Sequence, residues 1–97
     1  MTTVDLNTSS DERFKDNIST IPNAIDTINQ LRGVSFNWKE TNKKSYGVIA
    51  QELERILPEL VGTDEKGFKN VSYLPLIAFL IETVKDQENR IRQLENK

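Results

Sequence analysis

The chain has no cysteine and no histidine. The first absence removes disulfides, thiolate nucleophiles and zinc-finger ligand sets. The second removes the usual general base near neutral pH and the commonest imidazole metal ligand. An excess of positive charge is also missing, since 13 Lys and Arg face 15 Asp and Glu for a net charge of -2. With no basic field to hold a phosphate backbone, nucleic acid is not an expected partner. Long apolar runs are lacking as well. The most apolar window, Leu74 to Ile81, is far too short to cross a bilayer, so no membrane partner is expected. The start, Met1-Thr2-Thr3-Val4-Asp5-Leu6, has neither the basic nor the apolar region of a signal peptide. Asp64 and Glu65 sit in a Gly-ended loop without the alternating oxygen ligands of an EF-hand, so no metal is expected. There is no phosphate-binding loop, no internal repeat and no second polar constellation, which disfavours an enzyme acting on external substrates with a cofactor.

What remains is one small domain. At 97 residues and 36% hydrophobic, it lies close to the lower limit for a self-sufficient core. Part of its apolar surface is therefore expected to be buried between chains, as in an obligate oligomer. The reading is a soluble protein and one piece of a longer one.

Local patterns predict an α+β, helix-rich fold: a small head of short strands and a β-hairpin, followed by a long C-terminal helix. Val4 and Leu6 alternate like a brief strand, and residues 1–9 read as the end of a preceding segment. A short helix is expected from Asp11, with Ser9 as N-cap and Glu12 completing a capping box. Asn23 is the expected cap of the next helix, whose Ile21, Ala24, Ile25, Ile28 and Leu31 share one face, with Gly33 as its stop. Val34-Ser35-Phe36-Asn37-Trp38 alternates as a strand with Val34, Phe36 and Trp38 facing inward. Lys39 to Ser45 reads as a polar loop and Tyr46 to Val48 as a short strand. Ile49, Leu53, Ile56 and Leu57 then form a helical apolar face that ends at Pro58. The segment Thr63-Asp64-Glu65-Lys66-Gly67 predicts a hairpin loop with Gly67 at positive φ. Phe36, Trp38, Tyr46 and Phe68 are expected in core packing rather than as a ligand platform.

The final helix, Leu74 to Lys97 with Pro75 in its first turn, carries the clearest pattern. Ile77, Leu80, Val84, Gln87, Ile91 and Leu94 step alternately by three and four, an a/d heptad register. Beyond Val84 only this seam is apolar, and a helix with one narrow apolar stripe needs a partner helix. Gln87 at a d position is a common device for fixing register at some cost in stability. A parallel coiled coil follows, while Ile at a leaves dimer and trimer open.

Without His or Cys, nucleophilic catalysis has few routes, and a Ser-Lys dyad is one of them. Ser10 and Lys15 are the candidates. A lysine acts as a base only when unprotonated, and its free side chain has a pKa of about 10.4. It works near neutral pH only if desolvated or set beside another cation, here Arg13. Spacing alone does not make the case, because the ordinary reading of Ser10 is a helix cap and that of Lys15 a solvated helical lysine.

Three motifs add to it. Ser10-Asp11-Glu12-Arg13-Phe14-Lys15-Asp16-Asn17-Ile18, Tyr46-Gly47-Val48-Ile49-Ala50-Gln51-Glu52-Leu53 followed by Leu57-Pro58-Glu59-Leu60-Val61, and Asn70-Val71-Ser72-Tyr73 together closely resemble the C-terminal intramolecular chaperone domain of phage tailspikes, tail fibres and endosialidases. The same domain type occurs in the myelin regulatory factor family. The resemblance spans residues 9–97 and implies a homotrimer, with residues 10–97 as the chaperone domain, residues 74–97 as its trimeric coiled coil and extended loops holding a partner chain. It implies a self-cleaving serine peptidase in which Ser10 and Lys15 form the dyad and the bond cut is Ser9–Ser10, with Asp11 and Asn17 in support. It implies an upstream fibre or spike domain as the partner and client. Assembly would take place in the host cytoplasm, with the upstream product in the virion tail and the released domain not retained. The alternatives are a structural trimerisation tip without cleavage and a coiled-coil interaction domain.

Overall fold

In the computed structural model, which describes residues 9–97, two small antiparallel hairpins and two short helices gather at one end of a long helix. The segment opens with a single 3-10 turn, Glu12–Phe14. Helix α1 spans Ala24–Ile28, strand β1 Val34–Asn37, strand β2 Lys44–Gly47 and helix α2 Ala50–Ile56. A second 3-10 turn, Pro58–Leu60, leads into β3, Val61–Thr63, then β4, Lys69–Val71, and α3, Leu74–Glu95. The expected strand at Val4 and Leu6 lies outside the described residues.

The head is held by leucines. Leu53, Leu57, Leu60 and Leu76 form the core cluster, flanked by half-buried Leu31, Val48, Ile56, Val61, Val71 and Phe79. In α2, helix formers place Leu53 and Leu57 four apart on the inner face, and Leu53 is fully buried. Pro58 cannot continue the helix and begins the next turn instead. The Ser72 N–H then donates to the Leu60 carbonyl at 2.8 Å, joining the end of β4 to the turn before β3.

Both hairpins follow the chemistry of their turns. Val61 pairs with Val71 and Thr63 with Lys69. Between them Gly67 takes φ 90, and the Asp64 carboxylate accepts the N–H groups of Lys66 and Phe68, each at 2.9 Å. Asp64 is thus consumed in an Asx-type turn. In the first hairpin Val34 pairs with Gly47 and Asn37 with Lys44, so the second strand begins earlier than Tyr46. Asn42 supplies the positive φ, 58, that turns the chain between them.

Three expectations change. The 3-10 turn is capped by Asp11, whose carboxylate accepts the Arg13 N–H, and not by Ser9. It closes within three residues, the chain returning to extended backbone at Lys15. Helix α1 ends at Ile28, ahead of Gly33, and its Asn23 caps through a left-handed backbone at φ 55 with no side-chain bond. Trp38 and the other large aromatics do not form the core. Val34 and Phe36 are half-buried, but Trp38 is 57% exposed, Tyr46 73% and Phe68 69%. Trp38 lies beyond the last paired residue of β1 and packs edge-on against Phe36, with ring centres 5.0 Å apart.

Helix α3 carries two parallel stripes. Leu76, Phe79 and Thr83 point to the head, where α1 packs against the helix; the Thr83 hydroxyl, in a buried position, donates back to the Phe79 carbonyl at 2.8 Å. The stripe one residue further round (Ile77, Leu80, Val84, Ile91 and Leu94) is exposed throughout, between 47% and 66%. Beyond Asp86 no side chain of α3 is buried.

Candidate functional site

The 3-10 turn decides where Ser10 and Lys15 lie relative to each other. By folding Glu12–Phe14 into a tight turn between two extended flanks, it brings the side chains five residues apart to the same side. The Lys15 Nζ lies 2.6 Å from Ser10 Oγ, within direct hydrogen-bond reach. In this geometry Lys15 Nζ donates and Ser10 Oγ accepts.

Asp11 holds that turn. Its carboxylate accepts the Arg13 N–H at 2.9 Å, and the Arg13 guanidinium grips it with Nε at 3.1 Å and Nη2 at 2.9 Å. The Arg13 hydrogen bonds keep the Asp11 carboxyl below its ordinary pKa, and Asp11 in turn raises that of Arg13. Asp11 therefore fixes the turn that lies between Ser10 and Lys15. Arg13, the expected cationic neighbour of Lys15, has its charge matched by Asp11. Asn17 turns the chain out of the site at φ 54, a conformation that Asn tolerates better than most residues.

Ser9, Ser10 and Lys15 are all exposed. A single copy brings Ser10 Oγ and Lys15 Nζ together and leaves both residues in water.

Two further features escaped the sequence reading. Arg32 and Glu52 form a forked pair linking the loop after α1 to α2, with Nε–Oε1 at 2.9 Å and Nη2–Oε2 at 2.8 Å. The hydrogen bond from Arg32 lowers the Glu52 pKa. Phe36, Trp38, Tyr46 and Tyr73 line an open cleft of about 730 Å³. Among the described residues no three acidic side chains gather in a way that could hold a metal ion, and no helix is long and apolar enough to cross a membrane.

The geometry coincides with a match to known proteins. A family model described as chaperone of endosialidase matches residues 10–62, so the match opens on Ser10 itself and runs through the Tyr46 motif into β3. The long tail fibre protein Gp37 of Enterobacteria phage K3 is 38% identical over 97 residues, covering 91% of this chain and 8% of that protein. Gp37 of Enterobacteria phage T2 gives the same identity and covers 7% of its length. Gp37 of Salmonella phage S16 is 36% identical over 78 residues, with 72% of this chain and 10% of that protein covered. The chain spans a tenth or less of the curated relatives it matches.

Proposed function

The chain belongs to the chaperone-of-endosialidase family, and from this we propose that it is the intramolecular chaperone of a phage tail fibre, which trimerises and then releases itself by cutting before Ser10. The observation that carries the reading is the 2.6 Å approach of Lys15 Nζ to Ser10 Oγ at the first residue of the family match.

The exposed seam of Ile77, Leu80, Val84, Ile91 and Leu94 supports assembly through α3. In water it is an apolar stripe without a partner. Each of these side chains contributes roughly 1.5–3 kcal/mol when fully buried. Three parallel copies would bring three heads, and the fibre strands ahead of them, into one register. The match to tail fibre proteins over a small fraction of their length supports a long upstream segment of the same polypeptide as the client.

The proposed release is an acyl transfer. Ser10 Oγ attacks the Ser9 carbonyl carbon while its proton passes to Lys15 Nζ. The new O–C bond forms, the Ser9–Ser10 C–N bond breaks, and the proton moves on to the freed Ser10 amine. Water then hydrolyses the ester, leaving a carboxylate on Ser9 and the hydroxyl on Ser10. Because the single head leaves Lys15 in water, the step waits for assembly to exclude that water. Once the aid is gone, the fibre trimer has no low-barrier way back and is kinetically locked.

A second reading, a structural tip that trimerises without cleaving, is favoured by that same exposure of Ser10 and Lys15. The chaperone claim is tested by producing the upstream fibre segment with and without this domain. A soluble, detergent-resistant trimer that forms only with the domain supports it. Equal yields without the domain contradict it.

A further inference from the structure

Every residue from Ser9 to Thr20 is exposed, including Phe14 at 80% and Ile18 at 67%. Two large apolar side chains thus stand on an arm with nothing beneath them. On the same molecule Phe36, Trp38, Tyr46 and Tyr73 line an open cleft of about 730 Å³. In one copy the two surfaces stay apart, since Trp38 and Tyr46 are as bare as the arm.

We infer that the cleft of one copy receives Phe14 and Ile18 from the arm of a second copy, an inference that rests on the assembly read above. Three observations carry it. The cleft is of a size that binds compact apolar groups, and a phenylalanine ring buries about 150–250 Å² on entering such a site. The charges favour it on balance: Asp11, Glu12 and Asp16 outnumber Arg13 and Lys15 on the arm, while Lys39, Lys43 and Lys44 outnumber Glu40 at the cleft and its hairpin tip, Lys44 lying over the Tyr46 ring at 5.8 Å. The exposed seam of α3 supplies the means of bringing two copies together.

Docking of this arm has a chemical consequence, because Ser10 and Lys15 travel with it. Phe14 is the residue before Lys15, so seating the ring draws the lysine against the neighbour and takes water from it. Both residues lie on one arm, and the neighbour's cleft is what takes the pair out of water.

The absence of native cysteine permits a clean test. Two differently tagged copies of the full chain, one with Glu12→Cys and one with Lys39→Cys, are produced together and oxidised. The expected product is a disulfide-linked pair carrying both tags, reduced at least fivefold when Phe14→Ala is added to the first copy while light scattering still shows the oligomer. Trp38 is the single tryptophan, so its emission should shift to the red in Phe14→Ala relative to the assembled parent. An oligomer with no mixed disulfide and unchanged Trp38 emission overturns the docking while leaving assembly intact. A monomer overturns docking and assembly together, whereas a mixed disulfide without any self-cleavage leaves docking standing and removes only the peptidase.

Discussion

The hydroxyl of Tyr73 lies directly over Gly47 and accepts the Val48 N–H at 3.2 Å, which ties the end of β2 to the entry of α3. A Cβ at position 47 would strike that hydroxyl. The Tyr46-Gly47-Val48 and Tyr73 motifs are thus two halves of one contact. Gly47→Ala is expected to push the ring aside and destabilise the head by about 1–3 kcal/mol, through the bond lost and the strain gained. Thermal unfolding would record it, and Tyr73→Phe should reproduce only the smaller, hydrogen-bond part.

Among the described residues Leu53 is the one large side chain that is fully buried. Leu53→Ala should cost about 2–5 kcal/mol, through lost burial and the cavity left behind. A domain of this size has little to spare, so the variant should be partly unfolded by circular dichroism at room temperature. A loss below 1 kcal/mol would mean that the leucine cluster is not what holds the head.

The two stripes of α3 should separate by phenotype. Val84→Asp and Ile91→Asp alter exposed seam positions and should leave the head folded while shifting light scattering from trimer to monomer. Thr83→Asp, one residue away and buried against the head, should unfold it. Gln87→Ile should raise the stability of the assembly and loosen its stoichiometry, since a polar d residue gives up stability for register.

Acid should act through Glu52. The hydrogen bond from Arg32 lowers its folded-state pKa, so the stabilisation is present above the unfolded pKa of about 4.3 and lost as pH falls through the folded value. Glu52→Gln should therefore flatten the fall in stability below about pH 4.3 while changing little at pH 7 beyond the loss of the pair. Denaturant midpoints across that range would show it. An unchanged acid limb would place the acid sensitivity elsewhere.

Regular elements were legible wherever one period or one turn residue dominated. The heptad from Ile77 to Leu94 gave α3, and Gly67 with Asp64 gave the second hairpin. The head was less so, because the contacts that decide it join residues far apart in the chain: Gly47 with Tyr73, and Arg32 with Glu52. Trp38 was misjudged because strand alternation names a face but not where pairing ends; it lies just past Asn37. At the candidate site, Ser10 and Lys15 were named as a pair from their chemistry and motif, but the local geometry that joins them was not legible. A spacing of five fits no regular helix face, and only the turn capped by Asp11 brings Lys15 to Ser10.

The most direct measurement is the intact mass of the domain expressed behind its native upstream segment, with Ser10→Ala, Lys15→Ala and the seam variant Val84→Asp alongside. The account predicts a fragment beginning at Ser10 in the parent only, with all three variants uncut and the two dyad variants still assembled. An uncut parent that is nonetheless trimeric, or a parent-like cut in Lys15→Ala, would contradict it.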